Sequence, residues 1–83
     1  MDLSPHGVRA GAGSLRTGHG VVLEHVWTDR GVIATPVTTG AQVLHLSVAL
    51  CVLNDTYREA QRLGIALLGV AVDTDGGFDD DWR

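Results

Sequence analysis

Residues 39–53 read Thr-Gly-Ala-Gln-Val-Leu-His-Leu-Ser-Val-Ala-Leu-Cys-Val-Leu. From Ala41 to Leu53, apolar side chains fall on every side of a helix rather than on one stripe, a pattern typical of helices that are buried all round. A chain of 83 residues has little core with which to enclose such a helix by itself. The segment therefore predicts a long central helix whose first half is covered partly by another chain.

The ends of this helix carry clear signals. Thr38 or Thr39 offers a capping hydroxyl at the start, and Gly64 supplies a left-handed stop, so a helix of about 24 residues fits between them. Its second half has a polar face with pairs spaced i,i+3, Asp55 with Arg58 and Glu59 with Arg62, which predicts that this half lies on a surface.

Strand patterns flank the helix. Residues 21–27 and 32–37 are rich in β-branched residues and surround the turn cluster 28–31, which predicts a β-hairpin. Residues 65–73 predict a further strand after Gly64. The order is β-β-α-β, of the α+β class. Residues 1–18 are expected to form a flexible glycine-rich arm or an edge strand, because they contain Pro5, Gly7, Gly11, Gly13 and Gly18.

Charge and composition exclude several classes of function. The net charge is −4 and the six basic residues are scattered arginines, so we expect no nucleic-acid partner. The N-terminal residues lack a signal-peptide pattern, and the longest apolar run is too short for a bilayer, so we expect a cytoplasmic protein with no membrane partner. One cysteine and poorly spaced histidines give no disulfide and predict neither a metal site nor a cofactor.

Several of these segments together resemble the OsmC/Ohr family. The likeness is carried by Thr39-Gly40-Ala41-Gln42-Val43-Leu44, by Cys51 at its spacing from Gln42, by Asn54-Asp55-Thr56-Tyr57-Arg58, and by Leu63-Gly64-Ile65 followed by Leu67, Val70 and Val72. The resemblance implies that residues 19–83 form an OsmC-like N-terminal half domain. It also implies an intertwined homodimer, or pairing with a complementary OsmC-like chain, in which long helices pack together between sheets.

The resemblance also implies an activity. Members of the family reduce small hydroperoxides through a cysteine thiolate, in the manner of peroxiredoxins under oxidative stress, with an arginine that positions the thiol. On this basis Cys51 is the candidate peroxidatic thiol and Arg30 the candidate activating arginine. The chain departs from the family at Ala41, where the helix-opening motif has a glutamate, and it contains no second cysteine.

Two functional hypotheses follow. The first is a thiol-dependent peroxidase in which an external thiol resolves the oxidised Cys51. The alternative is a non-catalytic OsmC-like subunit that acts by dimerisation or by binding a partner chain or a small apolar ligand. Purely structural roles are the alternative for each of these residues. Cys51 is then a small buried hydrophobe, His45 a packed or hydrogen-bonded core residue, and Trp27 and Trp82 are core or interface anchors.

Overall fold

One helix lies on one four-stranded antiparallel sheet in the computed structural model, which describes residues 3–16, 18, 20–28 and 30–77. The elements in chain order are β1 (Val8–Gly13), β2 (Val21–Leu23), β3 (Val32–Ala34), α1 (Gly40–Leu63) and β4 (Gly69–Thr74). The strands lie in the order β2-β3-β1-β4. The predicted α+β class is confirmed.

The predicted helix is confirmed together with both of its caps. α1 has 24 residues, and Thr39 caps it through a reciprocal pair in which the Thr39 hydroxyl accepts from the Gln42 N–H and the Gln42 side chain accepts from the Thr39 N–H. Gly64 ends the helix with φ at 70°, a left-handed conformation that costs glycine little. The i,i+3 ion pairs predicted for the second half are also present.

The predicted hairpin is confirmed with shorter strands. β2 and β3 pair antiparallel, with Val21 opposite Ala34 and Leu23 opposite Val32. The strand after the helix begins at Gly69 rather than at Ile65. The reason is that residues 65–68 close the helix and cross the end of the sheet: the Ile65 N–H donates to the Ala60 carbonyl, and the Leu68 carbonyl accepts from the Ser14 N–H.

The position of β1 corrects the expectation for residues 1–18. β1 pairs with β3 on one side and with β4 on the other, so it is a central strand rather than an arm or an edge strand. Its small residues suit that position. Ala10 and Ala12 are fully buried beneath α1. The backbone at Leu15 passes so close to Gly11 that a Cβ at position 11 would collide with the Leu15 carbonyl.

The segment before β1 is fixed to α1 and to Asp75, which follows β4. The Ser4 N–H and hydroxyl donate to the two carboxylate oxygens of Asp75, each at 2.6 Å. The His45 ring donates from Nδ1 to the His6 carbonyl at 2.6 Å. These bonds join residues 3–16 to the same domain as the helix, so no boundary separates them from the chain after residue 18.

The core lies between the inner face of α1 and the middle of the sheet. Leu53 and Ala49 of α1 meet Ala10 and Ala12 of β1 and Val32 of β3, and all five are fully buried. Val70, Val72, Leu50 and Tyr57 pack around this cluster. Leu53 is the largest of the five fully buried side chains, so its removal would leave the largest gap between α1 and the sheet.

Replacing Leu53 with alanine should therefore lower the free energy of unfolding by about 2–5 kcal/mol, because it leaves a cavity beneath α1. Leu63→Ala, which removes the same atoms from a side chain that is 58% exposed, should cost less than about 1 kcal/mol. Urea unfolding followed by circular dichroism measures both values. Equal losses for the two variants would contradict the assignment of Leu53 as the centre of the core.

Two carboxylates, one in β4 and one just after it, bond to the N-terminal part of the chain, and they should make the stability of the fold depend on pH. A hydrogen bond from the Arg9 guanidinium lowers the pKa of Asp73, and hydrogen bonds from Ser4 lower the pKa of Asp75, each below the ordinary value of 3.8. Carboxylates with lowered pKa values stabilise the fold above the ordinary value, and that contribution is lost as pH falls through the folded-state pKa.

We expect the urea midpoint to fall steadily below pH 3.8. The double variant Asp73→Asn, Asp75→Asn should start from a lower midpoint at neutral pH and lose less of it on acidification, because it has neither titrating group. An unchanged slope in the double variant would show that these two carboxylates do not carry the acid sensitivity.

Candidate functional site

Cys51 lies on the outward side of α1, and its side chain is exposed in the single chain. Helix geometry explains this position: Cys51 is two residues, or about 200°, away from both Ala49 and Leu53, which face the sheet. The interpretation of Cys51 as a buried hydrophobe is therefore wrong for the single chain. The prediction that another chain covers part of the first half of the helix stays a prediction, and the single chain leaves that side exposed.

An apolar surface surrounds this thiol. We define the outward face as the exposed apolar side chains of the first half of α1, which are Val43, Leu44, Val48, Cys51 and Val52. Leu44, Val48 and Cys51 lie at i, i+4 and i+7, along one line of the helix. The exposed fractions of its four aliphatic residues run from 45% to 55%. An isolated chain thus leaves on its surface a run of side chains that normally lies inside a protein.

The charged second half of α1 borders the outward face. Arg58 bonds to Asp55 and Arg62 bonds to Glu59, all four with exposed side chains. Asp55 lies one helical turn from Cys51 on the same side of the helix, and Arg58 lies two turns away, about 10 Å along the axis. Within one chain, the charged group nearest to Cys51 along this side of the helix is therefore an anion.

Arg30, the second predicted catalytic residue, lies elsewhere. It stands in the turn before β3 and lines a cavity of about 370 Å³ together with residues from four parts of the chain, namely Gly13, Ser14, Trp27, Thr28, Tyr57, Leu67 and Leu68. Cys51 is not among the residues that line this cavity. The single chain does not bring the two predicted catalytic residues into one pocket.

The loop between β2 and β3 is anchored to α1 by a ring cluster, which consists of His25, Trp27 and Tyr57. The His25 Nδ1 atom accepts from the Trp27 N–H at 3.3 Å, so Nε2 carries the proton and donates it to the Asn54 amide oxygen at 2.6 Å. The Trp27 and Tyr57 rings are nearly parallel, at 13°, with centroids 6.4 Å apart. Trp27 is therefore held in place as one wall of the cavity rather than buried in the core.

His45 and Asp73 have structural roles in the fold. His45 is only 9% exposed and bonds to the His6 carbonyl, which confirms it as a hydrogen-bonded core residue. Asp73 lies in β4 and pairs with Arg9. The part of the chain that the structure describes contains no group of three or more potential metal ligands. Trp82, the second predicted anchor, lies outside the described residues.

The ring cluster was not predicted from the sequence, although the position of one member, Tyr57, could have been. Tyr57 lies four residues after Leu53 and three before Ala60, so helical periodicity puts it near the inner face. Nothing local indicates that residues 25–30 turn back onto α1, because the contact of His25 with Asn54 spans 29 positions.

Comparison with models of known protein families, with curated proteins and with solved structures finds no match to this chain. No helix among the described residues combines the length and the apolar character that crossing a bilayer needs.

Proposed function

We propose that this chain is an OsmC-like subunit that acts as a homodimer, joined through the outward face of α1 with Cys51 at the seam. The observation that carries the proposal is the exposure of four aliphatic side chains around the Cys51 thiol. Burying them against a second copy removes apolar area from water, which is the main driving force of protein association.

The pattern of the outward face suits a twofold contact. In a symmetric dimer the same patch meets itself, so residue pairs are exchanged across the axis. An antiparallel crossing of two α1 helices centred on Val48 would set Leu44 of one copy against Val52 of the other. The ion pairs Asp55–Arg58 and Glu59–Arg62 would then lie at the rim, where charged groups are tolerated.

A substitution in the outward face should dissociate the dimer. We expect the wild-type protein to have twice its chain mass of 8.8 kDa by light scattering after size exclusion. Val48→Asp should raise the dimer dissociation constant roughly 30-fold or more, because it would bury an unpaired carboxylate at the seam. Gln61→Asp, which adds the same group at an exposed position in the second half of α1, should leave the dimer intact.

The alkylation rate of Cys51 is an independent measurement of the same contact. Cys51 should react quickly with iodoacetamide in dilute protein and more slowly as the concentration rises into the dimer range, and Val48→Asp should abolish this dependence. A monomeric mass at every concentration, with alkylation independent of concentration, would refute the homodimer.

A second candidate function, hydroperoxide reduction at Cys51, has support from the exposure of the thiol in the single chain, an exposure that the proposed dimer would reduce. The thiolate would attack one oxygen of a hydroperoxide, so that an S–O bond forms as the O–O bond breaks, giving a sulfenic acid and, with a proton, an alcohol. An external thiol would then reduce the sulfenic acid, releasing water and forming a mixed disulfide. Asp55 and Arg58 already bond to each other, so a cation that stabilises the thiolate would have to come from outside this helix, and Arg30 remains the proposed source.

Treating the protein with cumene hydroperoxide should add oxygen to Cys51, detected by mass spectrometry after trapping with dimedone. Cys51→Ser should show no labelled product. Arg30→Gln should slow the oxidation at least about 10-fold if Arg30 stabilises the transition state, while Arg62→Gln, which removes an arginine paired with Glu59, should not. A Cys51 that stays reduced under hydroperoxide would eliminate the peroxidase while leaving the homodimer standing.

A further inference from the structure

We infer that the cavity between Trp27, Tyr57 and Arg30 is a binding site for a small planar ligand that carries a carboxylate. The cavity lies at one end of the sheet, and its walls come from β1, the loop before β3, α1 and the segment before β4. Its volume of about 370 Å³ lies in the range that small-molecule sites occupy. The inference does not rest on the proposed homodimer or on oxidation of Cys51, although it uses the same Arg30 that the second candidate function assigns to the thiolate.

The charge in the cavity points to an anion. Arg9, Arg58 and Arg62 each pair with a carboxylate of the chain, whereas Arg30 forms no ion pair with a described residue. A guanidinium presents parallel N–H donors that match the two oxygens of a carboxylate. Arg30 is therefore a cation at the cavity wall that makes no ion-pair contact with a described carboxylate, although it also lines a neighbouring cavity together with Glu24.

A hydroxyl group in the same wall also lacks a partner. The Thr28 Oγ1 atom is buried and makes no hydrogen bond, a state that costs free energy unless a partner arrives. Thr28 is close to Arg30 in sequence, and both line the cavity. Because the Thr28 Oγ1 atom has almost no surface open to solvent, a ligand oxygen would reach it only after a shift of the loop, whereas the exposed Arg30 is available to a carboxylate directly.

The other residues that line the cavity favour a ligand with a flat apolar ring. Trp27 and Tyr57 present two nearly parallel rings, and Leu67 and Leu68 add aliphatic surface. Aromatic faces bind planar rings by offset stacking. The hydrogen bond of His25 to Asn54 fixes the loop that carries Trp27, so this wall is formed before any ligand binds.

The test is a titration of nitrogen-15-labelled protein with naphthalene-2-carboxylate, followed through the indole N–H signal of Trp27 in a two-dimensional NMR spectrum. The chain has two tryptophans, and a Trp82→Phe spectrum assigns the remaining indole signal to Trp27. We expect a saturable shift with a Kd of about 1 mM or tighter. Naphthalene-2-methanol, which has the same ring and no charge, should bind at least about 10-fold more weakly.

Arg30→Gln should also weaken binding of the carboxylate at least about 10-fold. Arg58→Gln is the matched control, because it removes the same charge from an exposed position of α1 that does not line the cavity. The dispersion of the same spectra reports that each variant is folded. The inference is overturned if the Trp27 signal shows no saturable shift, if the alcohol binds as tightly as the carboxylate, or if Arg30→Gln binds as tightly as the wild type.

Discussion

The contact between Leu53 of α1 and two alanines of β1, Ala10 and Ala12, is central to the packing of this domain. A helix can approach a sheet closely only where the strand beneath it has small side chains, and Ala10 and Ala12 provide that space at the centre of the sheet. Leu53 fills it. β1 joins β3 on one side and β4 on the other, so this contact anchors α1 at the middle of the sheet, and α1 also contacts β4 directly.

The same arrangement explains what a single chain cannot bury. A sheet with one helix on one face has two layers, so only one side of the helix can face the core. The first half of α1 nevertheless has apolar residues on both sides: Ala49 and Leu53 face inward, and Val48 and Val52 face outward. In a chain of 83 residues no further layer of described structure covers the outward side. The surplus of apolar surface is thus a direct result of pairing an all-round apolar helix with a two-layer fold.

The features predicted well from the sequence are those fixed by neighbouring residues. The helix and its caps depend on Thr39, Gln42 and Gly64, all within or beside the element itself, and the β2–β3 hairpin joins strands that are adjacent in the chain. The place of β1 could not be predicted in the same way. Its residues are alanine, glycine, valine and arginine, a composition with weak strand preference, and it is a strand because β3 and β4 pair with it across long sequence separations.

The same contrast between local and long-range determinants applies to Cys51 and to the cavity beside Arg30. The position of Cys51 on α1 follows from helical spacing, but whether it is buried depends on which side of the helix meets the sheet, and an all-round apolar pattern does not specify that side. The cavity beside Arg30 depends on the loop turning back onto Asn54, for which there is no local signal. The two surfaces are also separate in space. Cys51 and Tyr57 are six residues apart, which places them about 120° from each other around α1. A partner on the outward face would therefore meet a different side of α1 from the side that borders the cavity, so we expect the proposed association and the proposed ligand binding to respond to different substitutions.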